Sequence, residues 1–281
     1  VMVDGHTLYN HPPPTQGRAS LLLLAIYARM PAARCDGFDY VHRLVEASKQ
    51  AFMVRDAQVT DPAYIDGDIA RFLDDAAIDA CAARIDAARA LPWPQPASHG
   101  DTVWLGAADS AGRMVSFIQS IYWEFGSGLV LPASGVCWQN RGTSFALDAQ
   151  ALNALAPGRL PFHTIQPALA HLRDGRVMAY GTMGGEGQPQ TQAAVFTRHV
   201  MHGMDLQAAV DAPRWLLGRT WGAGSTTLKL ESRFDPALCA ALAAAGHAVE
   251  MLPDYSAQMG HAGAIVRGPD GLMAGASDPR S

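Results

Sequence analysis

Apolar residues recur at three- and four-residue spacing through three stretches of the first ninety positions: RASLLLLAIYARM from Arg18, FDYVHRLVEASKQAFMVRDA from Phe38 and DAAIDACAARIDAARA from Asp75. That period predicts helices. Prolines at 92, 94 and 96 then break the pattern and mark residues 91–97 as a linker. From residue 102 the texture changes to short runs with strand character, at 103–108, 114–120, 135–139, 165–172 and 177–182. Helices follow at 190–202 and 206–210, the second stopped by Pro213. The tail alternates a strand at 226–231, a helix at 236–246 and strands near 248–251, 262–267 and 272–276. Strands grouped together with helices before and after them predict α+β layers rather than strict βαβ alternation.

The first two strands meet at the turn Asp109-Ser110-Ala111-Gly112, so 103–120 reads as a hairpin. The chain enters it from the proline linker through Asp101-Thr102, with a hydroxyl at the strand's first residue. A β-branched residue is at home in a strand whatever its chemistry.

Composition narrows the function. The 281 residues are 49% hydrophobic and 17% charged with a net charge of −5, enough to bury the core of one or two domains. Nothing basic enough to follow a phosphate backbone is present, so nucleic acid is not expected as a partner. The apolar run LLLLAIYA is too short to span a bilayer and predicts a buried helix, and no membrane partner is expected. Cys35, Cys81, Cys137 and Cys239 lie far apart without CxxC spacing. They read as free thiols, which favours a reducing, cytoplasmic compartment, although four cysteines can pair in three ways. GTMGGEGQPQ lacks the Gly-Lys-Ser/Thr of a phosphate loop and the GxGxxG of a dinucleotide turn. His199 and His202 stand three apart on a helix without an evident third ligand, and no metal is expected.

Four separated stretches carry a resemblance. NHPPPTQG, GDTVWLGAADSAGRMVSFIQSIYWEFGSG, GTMGGEGQPQTQ with GMDLQAAVDAPRW, and GPDGLMAGASDPRS resemble, in order and spacing, the gamma-glutamyltranspeptidase family of N-terminal-nucleophile hydrolases. The resemblance implies a four-layer αββα sandwich within the α+β class. It also implies a precursor that cuts itself between Asp101 and Thr102. Residues 1–101 would then be the C-terminal part of a large subunit and 102–281 the small, catalytic subunit, the two forming a heterodimer that dimerises again. The rest of the large subunit would precede this chain. Thr102 would be the nucleophile, its own α-amine the base, and no cofactor would be needed. By the same resemblance Gly184 and Gly185 form the oxyanion hole, Ser120 supports the nucleophile, and Asp109 stands where the family has an aspartate seven positions after its threonine.

The resemblance weakens at the substrate. Where gamma-glutamyl enzymes hold the substrate's α-amino and α-carboxyl groups with Asn, Gln and Asp, this chain has Tyr122, Arg141 and Ser144, and an adjacent Ser-Ser is replaced by His163-Thr164. An arginine without the acidic residue suits a carboxylate and repels an ammonium. The expected substrate is therefore a small amide whose acyl half bears a carboxylate, as in the family's oxamate amidohydrolase and cephalosporin acylase branches, and hydrolysis is expected over transfer. A gamma-glutamyl hydrolase or transpeptidase acting on glutathione remains the alternative within the family. A non-catalytic binding relative is the alternative outside enzymes.

Overall fold

The computed structural model describes residues 1–93, 101–218 and 225–280. A six-stranded antiparallel sheet occupies its centre, in the order β1 (Met2–Val3), β2 (His6–Tyr9), β5 (Ala168–His171), β6 (Val177–Thr182), β10 (Ala262–Arg267) and β11 (Met273–Ser277). A second pair, β3 (Asp101–Ala108) and β4 (Met114–Tyr122), forms the predicted hairpin. A third sheet joins β7 (Trp215–Leu217), β8 (Leu228–Glu231) and β9 (Val249–Leu252). The helices are α1 (Gly17–Ala28), α2 (Phe38–Gln58), α3 (Asp75–Ala82), α4 (Gln188–Phe196), α5 (Leu206–Asp211) and α6 (Pro236–Ala244).

Alternation along β6 places helices and hairpin on opposite faces of the main sheet. Tyr180 meets Phe196 of α4 with ring centroids 5.6 Å apart, so its face belongs to the helices. The next residue, Gly181, points the other way. A Cβ there would lie 2.1 Å from Trp104 Cδ1 of β3, and one on its register partner Gly263 would lie 2.4 Å from Trp104 Cζ3. The indole therefore lies flat in a slot that two glycines leave open, and its Nε1 donates to Ser116 Oγ at 2.9 Å. Because the slot is backbone-walled, Gly181→Ala is expected to destabilise the chain by about 2 kcal/mol or more. A fall in the urea midpoint without a change of slope would register it.

The run that predicted a buried helix is one: Leu22, Leu23, Leu24, Ile26 and Tyr27 of α1 are all buried, against α2 and α4. Departures from the predicted elements have local causes. The third helix ends at Ala82 rather than near residue 90, because the Asp86 side chain accepts the N–H groups of Ala88 and Arg89 and so offers the backbone a turn. Strand β5 starts at Ala168, after Pro167, which has no N–H for the ladder. The run 135–139 forms only a bridge between Val130 and Cys137, within a stretch where Gly126, Gly128 and Gly135 adopt positive φ. Strands β1, β2 and β7 are two to four residues long, too short to show a period. All four cysteines are free thiols.

Candidate active site around Thr102

Strand β3 carries Thr102 and Trp104 on the face turned toward the main sheet, with Val103 and Leu105 on the other. The ladder is irregular at its start: Asp101 pairs with Tyr122, whereas Val103 pairs with Gln119. Two steps on β3 thus face three on β4, and this bulge lies beside Thr102. Thr102 Oγ1 donates to Ser120 Oγ at 3.1 Å, and Ser120 Oγ accepts the Tyr122 N–H at 3.0 Å. Tyr122 holds the left-handed conformation, φ 80°, although it is buried and not glycine. A large residue kept there marks a position fixed by its surroundings.

Thr102 lines two cavities. One, of about 250 Å³, is shared with Trp104, Met183, His261 and Asp278. The other, more open and about 410 Å³, is shared with Ser120, Trp123 and Glu124. Met183 leads directly into Gly184 and Gly185, whose φ values of 129° and 53° are open to glycine and strained for other residues. The pair begins the helical run that continues into α4, so its backbone N–H groups stand at a helix start, where anions are favoured.

Arg141 opens a short 3-10 turn, Arg141–Ser144, and is 1% exposed. Its guanidinium lies over the Tyr122 ring at 3.8 Å and donates through Nη2 to Thr164 Oγ1 at 2.8 Å. Nε and Nη1 have no hydrogen-bond partner among the described residues, and no carboxylate pairs with them there. Burial lowers its pKa to about 10, which leaves it cationic at neutral pH. Ser144 closes the same turn half-buried, and the guanidinium contacts run to Tyr122 and Thr164 instead.

His163 precedes Thr164, and burial together with the Arg141 charge lowers its pKa to about 3. The ring is neutral at pH 7, and its Nδ1 accepts the Ile165 N–H at 3.2 Å, which leaves the proton on Nε2. Burial, Lys49 and His42 likewise lower His247 to about 3. An unfolded histidine titrates near 6.5, so between these values the unfolded chain binds more protons. Stability therefore rises with pH across that window and is lost as pH falls from about 6.5 toward 3. Urea midpoints should already drop between pH 6.5 and 5, above the carboxylate range, and a flat profile there would contradict both assignments.

The structure separates one residue from this group. Asp109 sits in the β3–β4 turn at the far end of the hairpin, pairs with Arg113 at 2.6 Å and accepts the Arg113 N–H at 2.9 Å. Its spacing from Thr102 makes it a turn former and not a neighbour of the hydroxyl.

Two networks were given no role by the sequence. Arg214, Asp278, Arg280 and Glu231 form a buried ionic cluster in which Arg280 grips Glu231 through two 2.6 Å bonds, and Asp278 also lines the smaller Thr102 cavity. Gln16, in the PPPTQG stretch, is fully buried and reaches both Thr164 and Gly185. Gln16, Arg214, Asp278 and Arg280 lie within the stretches that carry the resemblance, but nothing in the sequence assigned them a role, and their burial shows one.

Among the described residues one His/Glu group has metal-like proximity: His42, Glu46 and His247, with ligand atoms within 4.8 Å of one another. Its members already satisfy one another, since His42 Nδ1 and His247 Nε2 share a hydrogen bond at 2.9 Å and the Lys49 ammonium lies 2.6 Å from Glu46. A resident ammonium opposes a second cation. His199 and His202 diverge, the first toward Met204 and Arg176 and the second toward Tyr27.

Thr102 at the start of β3, the glycine pair after Met183 and the buried Arg141 are the groups that a functional reading has to connect. The chain belongs to the gamma-glutamyltranspeptidase family, whose model it matches over residues 1–281. It is 58% identical over 275 residues to the oxamate amidohydrolase proenzyme of Klebsiella pneumoniae, across 98% of this chain and 52% of that protein. It is 41% identical to the glutathione hydrolase-like YwrD proenzyme of Bacillus subtilis, across 98% of this chain and 53% of that protein. The crystal structure of cephalosporin acylase from Bacillus halodurans superposes with a TM-score of 0.88 at 34% identity, covering 100% of this chain and 51% of that one. The chain thus spans about half the length of the relatives it matches.

Proposed function

We propose that this chain is the catalytic part of an autoprocessing amidohydrolase that cleaves a small amide with a carboxylate on its acyl half, an oxamate-like or glutaryl-like substrate. The observation that carries the proposal is Arg141: a buried cation whose Nε and Nη1 have no hydrogen-bond partner among the described residues, stacked on Tyr122, whose own N–H leads through Ser120 to Thr102. An unpaired buried charge costs several kcal/mol, and an arriving carboxylate removes that cost. Identity with a protein named for oxamate hydrolysis points the same way.

In maturation, Thr102 Oγ attacks the Asp101 carbonyl carbon. The Asp101–Thr102 C–N bond breaks as the acyl group moves to oxygen, and the freed amine takes up the proton. Water then hydrolyses the ester and leaves Asp101 with a carboxylate and Thr102 with both a hydroxyl and an α-amine. In turnover that amine, with an ordinary pKa of about 7.7–8.0, takes the hydroxyl proton as Oγ attacks the substrate carbonyl. The N–H groups of Gly184 and Gly185 receive the oxyanion, Ser120 orients Oγ, and the amine's proton leaves with ammonia, which leaves the acyl group esterified to Oγ. The amine then takes a proton from water as the water attacks that ester and returns it to Oγ as the free acid departs. Arg141 and Thr164 hold the substrate carboxylate, the Nε2–H of His163 adds a donor, and Tyr122 and Ser144 shape the pocket.

Residues 1–101 and 102–281 would then form two subunits of one αββα domain. The helices and the hairpin already cover opposite faces of the main sheet. The outer hairpin face carries Val103, Leu105, Val115 and Phe117, each 45–55% exposed, and such a face suits a further layer from the rest of the polypeptide.

A second reading, a gamma-glutamyl hydrolase, is favoured by the name of the Bacillus subtilis relative and opposed by Arg141, which repels a substrate ammonium. Assay of the mature protein on oxamate, a glutaryl amide and glutathione separates the two. Ammonia released from oxamate supports the carboxylate reading, and turnover confined to glutathione overturns it.

A further inference from the structure

Gln16 lies outside the roles assigned so far, yet its side chain touches two of the parts that the proposed reaction needs. It is 0% exposed at the N-terminus of α1, and its backbone N–H donates to the His163 carbonyl at 2.9 Å. Its Nε2 donates to the Thr164 carbonyl at 2.7 Å and to the Gly185 carbonyl at 2.8 Å. Its Oε1 accepts from Arg55 Nη1 at 3.0 Å, and Arg55 reaches on to Glu186 at 2.9 Å. Both amide hydrogens and the acceptor are used, so the side chain has one orientation. On one side it fixes the loop whose Thr164 hydroxyl holds Arg141; on the other it fixes the peptide that follows the glycine pair.

We infer that Gln16 is a positioning residue that sets the distance between the carboxylate-binding arginine and the oxyanion donors, and that this distance matters most for a two-carbon acyl group. The inference rests on the function proposed above and deepens it. In an oxamate-like acid the carboxylate carbon is bonded directly to the amide carbon. With the carboxylate on Arg141, rotation about that one C–C bond turns the carbonyl oxygen but cannot move the carbonyl carbon, so a displaced carbon is not returned to Thr102 and the glycine pair. A four- or five-carbon acid has rotatable methylenes and tolerates the same displacement. A misplacement of 1 Å costs about 100-fold where geometry is rigid.

The test is Gln16→Met, similar in length and without hydrogen-bonding capacity, made in the protein expressed from its complete reading frame. It is assayed on the monoamides of oxalic, succinic and glutaric acids, with the mature N-terminus checked in each preparation. The ratio of kcat/KM on oxamate to that on the longer monoamides does not depend on the folded fraction. We expect it to fall at least tenfold, with the loss on oxamate near 100-fold. An equal loss on every substrate, or no loss, assigns Gln16 to general stability and overturns the inference. Should Gln16→Met fail to fold, Arg55→Lys keeps a charge for Glu186 and releases Gln16 Oε1. It should shift the ratio in the same direction, and an unchanged ratio counts against the inference equally. A parent protein inert toward all three monoamides while cut at Thr102 overturns the proposed substrate class. An active parent with an unshifted variant overturns only the role of Gln16.

Discussion

Thr102→Ala is expected to leave the polypeptide uncut and to abolish amide turnover, by about four to six orders of magnitude where residual hydrolysis can be measured. The substitution removes the atom proposed to open both the internal peptide bond and the substrate, so the two losses should appear together. It removes little from the fold. The Thr102 hydroxyl bond to Ser120 contributes about 1 kcal/mol, and the strand, its register and the Trp104 slot are untouched. Near-native thermal stability with no cleavage is therefore the signature. Thr102→Ser keeps a hydroxyl and should still be cut. Cleavage of the alanine variant at the same bond would place the nucleophile elsewhere.

Replacing Arg141 should weaken substrate binding without lowering stability. Arg141→Met removes the cation while keeping an apolar side chain over Tyr122. Losing one partner of a buried charged contact costs about 2–5 kcal/mol, so KM for carboxylate-bearing monoamides should rise by roughly 30-fold to several thousand-fold. Without substrate, however, the variant no longer buries a guanidinium with unpartnered Nε and Nη1. Its melting temperature should stay level or rise. A purely structural arginine would give a lower melting temperature and an unchanged KM. That result would remove the substrate argument while leaving the Thr102 chemistry intact.

Much of the fold was legible because its elements repeat a period or form an apolar run bounded by turn residues. Helix α2 and strand β4 carry a period, and α1, β6 and β10 show instead as short runs rich in apolar residues that match continuous burial. The hairpin was visible in Asp109-Ser110-Ala111-Gly112, and Asp109 proves to serve that turn and not the hydroxyl. What a linear reading lacks is which distant groups face one another. The bulge beside Thr102 is a mismatch between two strands, and neither strand shows it alone. The glycines beneath Trp104 lie 82 positions apart, and Gln16 reaches a carbonyl 169 residues away. Arg141, by contrast, stood out as a charged residue where its family resemblance led one to expect an amide, and its burial gives that substitution a chemical sense.

The central claim is that Thr102 becomes an N-terminal nucleophile. Intact mass measurement with N-terminal sequencing of the protein expressed from its complete reading frame tests it most directly. Two fragments, one beginning Thr-Val-Trp-Leu, are the predicted result. A single chain that stays uncut while folded would contradict it and return Thr102 to the status of an ordinary strand residue.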